Sequence, residues 1–368
     1  MKTIALSIAL ALPFFISTES AFAASPYLDQ FCAQQVKKTA YKESDVAELT
    51  KKLKRNAVDG NAVNTLACLD ELAVPAIPVM IHLFNESNGE VRLDIIDSVA
   101  YLGKLAVPSL IEALNAGDID IRRGACMAIE KIGPPAQDAI PELRKLLNEP
   151  GYDVSFAAAY ALGSIGKAAI PTLLEIIRNG PDQSRTHVVE NSFRRIKKDE
   201  YPRDDLLSIL VSPTESILAR KAVMQVLGNL GPDNEATVPP LVDILGHEDN
   251  SFSLAASRVL AQVGRPAVPA ILGALGSPDA RVRSSATYAI QYMRFPVEEA
   301  IPPLTSLLDD KEATVSLGAL MALQRIGTKN ALDAVNRFKH EHQNSSRSSS
   351  PMIGIHIRLA QPFLTLRT

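Results

Sequence analysis

The sequence has no tryptophan, and aromatic residues make up only 5% of its 368 positions. Three cysteines are too few for a disulfide-built scaffold or a cysteine-rich zinc module. A net charge of −3 leaves no bulk positive charge for holding nucleic acid, so no nucleic-acid partner is expected. The chain carries no HExxH, CxxC, P-loop or GxSxG signature. Beyond the N-terminus no run of 18 or more uninterrupted apolar residues occurs, so no membrane-spanning segment is expected in the mature chain. What is present is a 46% hydrophobic fraction, too high for a disordered chain. With so few rings, that fraction has to form a core of Ala, Leu, Ile and Val.

The first residues read as an address. Lys2 supplies a short positive start, Ile4–Ile16 an apolar run broken only by Ser7 and Pro13, and Ala21-Phe22-Ala23 a small-residue cleavage site. Residues 1–23 are therefore expected to be a secretory signal peptide, and the mature protein to be periplasmic or extracellular. Such a location permits a disulfide. Cys32 and Cys68 both lie in the N-terminal region as candidates to form one, and spacing alone does not decide whether they do. Cys126 sits among Ala125, Met127 and Ala128 in a helical pattern and reads as a buried free thiol.

Self-similarity dominates the remainder. An aliphatic residue followed by Pro recurs at Pro78, Pro108, Pro141, Pro171, Pro239, Pro269 and Pro302, at intervals of 30, 33, 30, 68, 30 and 33 residues. Aligning Asp204–Leu210 with Pro171–Ile177 places a degenerate copy inside the long interval. Out of phase runs an aliphatic-Gly phrase at Gly103, Gly133, Gly166, Gly231, Gly264 and Gly327, with degenerate forms at Ile196-Lys197 and Met293-Arg294. Pro suits the first turn of one helix (A), and Gly the end of a second (B). Counting back from the Gly position, −1, −4 and −8 are apolar in every copy and form one stripe at 100° per residue. Many −8 residues are Ala, which lets helices approach closely.

A two-helix unit cannot bury its faces alone, so the units must stack. The 30–33-residue period and phrases such as Val282-Arg283-Ser284-Ser285-Ala286 resemble HEAT repeats, and are most similar to the short HEAT-like subtype named after phycobilisome lyases. The resemblance covers residues 74–340. It implies an all-α fold, a right-handed α-solenoid of about eight two-helix repeats of 30–35 residues. Residues 24–73 are read as an N-terminal helical cap: a charged helix around Asp45–Arg55, a turn at Asp59-Gly60, then Val63–Leu72. The repeat near 181–210 lacks both Pro and Gly, which is read as ordinary drift. Residues 341–351 form a Ser-rich linker and 352–368 a tail of unassigned structure in which Ile353, Ile355, Ile357 and Leu359 alternate.

Candidates for chemistry are few. Deoxyhypusine hydroxylase, a di-iron enzyme on this repeat type, uses His-Glu pairs in equivalent helical places. Here His247-Glu248 precedes a B helix and His340-Glu341 lies at the C-terminal edge, so no shared metal centre and no cofactor are expected. Fold resemblance alone assigns no activity. The expected function is a non-enzymatic scaffold that binds a protein or peptide along the concave B-helix face. The outward columns −3, −6 and −10 place Arg123, Phe156, Tyr160, His187, Arg194, Lys221, Arg258 and Tyr288 there. Basic and aromatic together, they point to an acidic partner segment. Two rival readings remain: a lyase-like or oxidoreductase-associated protein with chemistry near His187, and an envelope role for the tail. The oligomeric state is not legible.

Overall fold

The computed structural model describes residues 26–36, 40–54, 57–85, 89–149, 152–179 and 183–345. The expected signal peptide, most of the Ser-rich stretch and the tail lie outside them.

The chain begins with α1 (Pro26–Phe31), which runs into a π turn at Cys32–Val36, and α2 (Glu43–Lys51). The first helix expected to reach Arg55 therefore stops at Lys51. A two-residue antiparallel pair, β1 (Leu53–Lys54) with β2 (Ala57–Val58), takes the chain into α3 (Gly60–Ala67). Asp59 is the N-cap of α3 rather than a separate turn: its carboxylate accepts from the amides of Asn61 and Ala62. Cys32 and Cys68 are joined by a disulfide across a Cα–Cα distance of 5.4 Å, tying the end of α1 to the end of α3.

Eight A/B pairs follow: α4 (Ile77–His82) with α5 (Gly89–Tyr101), α6 (Val107–Leu114) with α7 (Ile119–Ile132), and α8 (Ile140–Leu146) with α9 (Tyr152–Ile165). Next come α10 (Ile170–Arg178) with α11 (Gln183–Arg195), α12 (Arg203–Val211) with α13 (Ile217–Gly228), and α14 (Val238–Ile244) with α15 (Asn250–Val263). The last two pairs are α16 (Val268–Leu275) with α17 (Ala280–Tyr292), and α18 (Ile301–Ser306) with α19 (Ala313–Ile326). α20 (Lys329–Ser345) closes the described chain and runs five residues past position 340, into the segment read as linker. The fold is an all-α solenoid.

The sequence punctuation explains the pairs. Pro stands at the second residue of A helices such as α6 and α16, where its missing N–H has no intrahelical partner to lose. All six glycines of the aliphatic-Gly phrase have positive φ, from 56° to 79°. Gly327 is left-handed helical, whereas Gly133 and Gly264 have ψ near −135°, mirror-β backbone that a side chain would forbid. After the Gly, short 3-10 turns such as Gly103–Ala106 and Pro134–Ala139 lead into the next A helix. Asp118, Asp249 and Asp279 cap the B helices α7, α15 and α17 by accepting from their first free amides. The stretch Asp153–Arg178 has the length and apolarity of a membrane span, but it is α9, a turn at Gly166 with φ of 74°, and α10.

The stripe at −4 and −8 is buried in every B helix, from Val99 and Ile95 in α5 to Leu323 and Ala319 in α19. The chain divides into two compact units. One holds residues up to Ala169 plus Arg195–Lys197, and the other Ile170–Arg194 plus everything from Lys198. The division falls beside the repeat that lacks Pro and Gly.

Candidate functional site

Each B helix has a second, outward face. None of its −6 and −10 residues is buried, in any of the eight repeats. The −3 column is less open: Gly163, Gly228 and Ala261 are buried. Gly163 and Gly228, read from sequence as leaving room at −3, do not both do so: the Gln262 side chain stands where a Cβ on Gly228 would be.

In the first unit, Arg123 on α7 is held by Asp120 at 2.6 Å, and Arg92 on α5 approaches the same carboxylate oxygen at 3.5 Å. These groups rim a cleft of about 600 Å³ whose apolar wall is Leu93, Ile96 and Met127. Phe156 and Tyr160 lie on α9, both half-buried. Arg195 stacks 4.9 Å over the Tyr160 ring and pairs with Glu130 at 2.8 Å. Burial raises the Glu130 carboxyl above its ordinary range, while Arg195 and Lys131 oppose the shift. Tyr160 is thus a platform for an arginine of its own unit.

In the second unit, His187, Arg194 and the α13 side chains meet around Glu190. This carboxylate is 8% exposed and has four neighbours. Arg194 and Asn229 donate to Oε1 at 2.8 and 3.0 Å, Gln225 donates to Oε2 at 3.0 Å, and His187 Nδ1 lies 3.4 Å from Oε2. Glu190 sits at −7, among core positions, so periodicity gave no reason to count it with the outward face. Lys221 reaches the N-cap of α15, 3.6 Å from the Asp249 carboxylate, and donates to Ser251. Hydrogen bonds from Ser251 and the Phe252 amide hold the Asp249 carboxyl below its ordinary range.

Arg258 differs from the other cations on this face. Its guanidinium stacks 5.3 Å over the Tyr292 ring, and Tyr292 in turn lies 5.6 Å from Tyr288. No carboxylate among the described residues pairs with Arg258. Tyr292, at −2, belongs with this face although the outward columns omit it; its 42% exposure is the signal.

Arg122, Arg281 and Arg283 are expected to pair with turn acids such as Asp118 and Asp279. Arg281 does so with Asp279. The other two reach further. Arg122 donates to the Ala116 and Gly117 carbonyls and pairs with Glu149 of the next repeat at 3.1 Å. Arg283 donates to the Ser277 and Pro278 carbonyls and takes Asp310 of the next repeat in a bidentate pair at 2.7 and 2.9 Å. Both arginines stand at −11 and join consecutive A–B turns.

The His-Glu pairs do not converge. His247 precedes α15, where its Nδ1 accepts from the Asp249 amide and its ring meets Phe252 edge-on at 4.8 Å. His340 and Glu341 lie on α20. Among the described residues no group of three or more His, Cys, Asp or Glu is placed to hold a metal ion.

The family profile for HEAT repeats matches residues 107–193, 203–291 and 269–349. The chain belongs to the HEAT-repeat family. Among proteins of curated function, none matches it. Several solved HEAT-like structures are similar. An engineered protein is 19% identical over 85% of this chain and 97% of its own, with a TM-score of 0.31. Kap95p, solved with RanGDP, is 11% identical over 87% of this chain and 50% of its own, with a TM-score of 0.43. Human deoxyhypusine hydroxylase in complex with glycerol is 21% identical over 69% of this chain and 96% of its own, with a TM-score of 0.30. The chain spans about two fifths of Kap121p, which it also resembles at 12% identity. At such identities and scores, nothing that those proteins bind or catalyse passes to this HEAT chain.

Proposed function

We propose that this is an exported, non-enzymatic HEAT-repeat scaffold of the short, phycobilisome-lyase-type subtype, which binds a protein or peptide along the outward face of its B helices. The observation that carries the reading is the contrast between columns. Positions −4 and −8 are buried in all eight B helices, while no residue at −6 or −10 is buried in any of them, and large side chains such as Leu93, Tyr160, Arg258 and Met321 stand there. Within each unit, a face repeated from helix to helix offers many weak contacts to a partner. Export is supported by residues 1–23 and by the Cys32–Cys68 bond, which persists in an oxidising compartment. The 30–33-residue period supports the subtype.

The test is affinity capture from an envelope extract after mild crosslinking, with Arg123→Glu probing the first unit and Lys221→Glu the second. The reading expects a specific protein to be captured by the wild type and lost with at least one charge reversal, while circular dichroism of both variants stays helical. Capture indifferent to both reversals counts against the B-helix face.

A further inference from the structure

The acidic residues of the second unit are distributed unevenly. α13, α15, α17 and α19 contain no Asp and no Glu, although the whole chain has 41 of them against 38 Lys and Arg. Apart from Glu190 on α11 and the acids of α20, the described acids of this unit lie in the turns and on the A helices, as Asp243, Asp249, Asp279, Asp309 and Asp310 do. Some of them neutralise the B-helix cations nearest the turns: Asp249 faces Lys221, Asp279 faces Arg281 and Asp310 faces Arg283. Two cations further along the helices are not neutralised. Arg258 at −6 of α15 rests on Tyr292, and Arg325 at −2 of α19 is exposed; no carboxylate among the described residues pairs with either.

Between these two cations the outward face is apolar. Tyr288 and Tyr292 lie one turn apart on α17, their rings 5.6 Å apart and tilted by 39°. Met321, 45% exposed, and the half-buried Leu317 occupy the corresponding turns of α19. Gln291 holds the two helices together here by donating to the Gly318 carbonyl at 3.2 Å. Gly318 carries no side chain because the Thr287 hydroxyl occupies the place of its Cβ, 2.2 Å away. The helices are thus locked closely, and the rings above them sit on a firm base. Tyr, Arg and Met are enriched at the buried centres of interfaces, and the rigid tyrosine rings supply large contact area at little ordering cost.

We propose that this patch, made by Arg258, Tyr288, Tyr292, Leu317, Met321 and Arg325, docks an extended segment of a partner protein that alternates carboxylate and apolar side chains. The apolar side chains cover the tyrosines and Met321, and the carboxylates reach Arg258 and Arg325. Arg258 is already desolvated on one side by the Tyr292 ring, so an incoming carboxylate pairs with a partly dehydrated guanidinium. Charge disfavours the chain's own tail as occupant: residues 346–368 contain Arg347, Arg358 and Arg367 and no Asp or Glu. A second copy is the rival occupant, through the acidic α5, where Glu90, Asp94 and Asp97 flank the exposed Leu93. The proposal rests on the scaffold reading above and names its partner chemistry.

The test uses the full-length mature protein and three labelled synthetic 12-residue peptides, read by fluorescence anisotropy. One alternates Glu with Leu, the second alternates Lys with Leu, and the third alternates Glu with Ser. Binding is expected for the first alone, weakening with added salt. Tyr288→Ala with Tyr292→Ala, and separately Arg258→Glu, should each weaken it at least tenfold, whereas Tyr288→Phe with Tyr292→Phe should retain it. Lys104→Glu, in a turn of the other unit, should leave it unchanged, and melting curves of all variants control for folding. Equal binding of the three peptides, or indifference to the tyrosine and Arg258 changes, overturns the proposal. So does concentration-dependent self-association in sedimentation that Arg258→Glu abolishes without any peptide preference, which assigns the patch to a second copy. If the peptides fail while Lys221→Glu still loses the captured envelope protein, only this local proposal falls. If no protein is captured at all, the scaffold reading falls with it.

Discussion

At the scale of single residues, the repeats are pinned by polar groups with no freedom to bind elsewhere. Arg283 satisfies two carbonyls and a neighbouring carboxylate at once, and both side chains of the Arg283–Asp310 pair are at most 10% exposed. Removing the cation leaves Asp310 buried without its partner. Arg283→Ala should therefore cost about 3 kcal/mol, measured by denaturant unfolding. Arg283→Lys should recover only part of this, since a point charge cannot form the two-pronged pair. The same pair sets an acid dependence. The Arg283 hydrogen bonds hold the Asp310 carboxyl below its ordinary 3.8. A lowered carboxyl pKa stabilises the fold fully above the unfolded value and loses that contribution as pH falls through the folded one. The stability difference between wild type and Asp310→Asn should be constant above about pH 4.5 and shrink below about pH 4.

Gly124 makes a second residue-scale case. A Cβ there would lie 2.6 to 2.8 Å from the ring and Cβ of Phe84, which is fully buried. Gly124→Ala gains about 1 kcal/mol of helix propensity but overpacks a closed core, a cost of about 1–3 kcal/mol. A net loss of thermal stability is expected; a raised Tm would show that Phe84 can move. Asp120 stands three residues before Arg123 and Glu190 four before Arg194, spacings a helix pairs locally and that were open to reading in sequence. The contacts across repeats, Arg92 to Asp120 and Gln225 to Glu190, have no fixed spacing and became visible only once the helices were packed.

At the scale of elements, the sequence is explicit where covalent geometry dictates the outcome. Pro at helix A starts and Gly at helix B ends are local steric statements, carried by seven of the eight A helices and six of the eight B helices. The −4 and −8 stripe was equally readable, because burial has the helix period. The short 3-10 turns that follow Gly103, Gly133, Gly166, Gly231 and Gly264 were not, since such short turns carry no hydrophobic period of their own. Nor was the β1–β2 pair, where a helix running to Arg55 was the natural extension of a charged pattern.

The N-terminal cap depends on cross-links between its short elements. The Cys32–Cys68 bond closes a 36-residue separation, and the Tyr101 hydroxyl donates to Asp29 at 2.8 Å. Burial and that carboxylate push the Tyr101 phenol up to about 12. Reduction of the disulfide should lower stability by about 3 kcal/mol, seen as an earlier melting step with dithiothreitol. Cys126 should not contribute to that difference, since it is a free, buried thiol whose pKa burial pushes up.

At the scale of the whole molecule, scarcity of aromatics proves to be a property of stacking. Ala at −8 and aliphatic residues at −4 let B helices lie close, and large rings are largely kept off that seam; Phe193 at −4 of α11 is the one that enters it. The rings are therefore free to mark the outward face, as Tyr288 and Tyr292 do. Export makes a prediction at this scale: protein recovered from the envelope should begin at Ala24 by intact mass, with the disulfide formed. A retained N-terminus would contradict the signal-peptide reading.

The central claim is that the outward face of the B helices is the binding face. A photo-crosslinking amino acid placed singly along the chain tests it most directly. Positions 127, 160, 225, 288 and 321 sample the B helices, and the exposed positions 79, 112 and 243 sample the A helices. The account predicts crosslinks to one partner from B-helix positions and none from A-helix positions. Crosslinks confined to A-helix positions would contradict it.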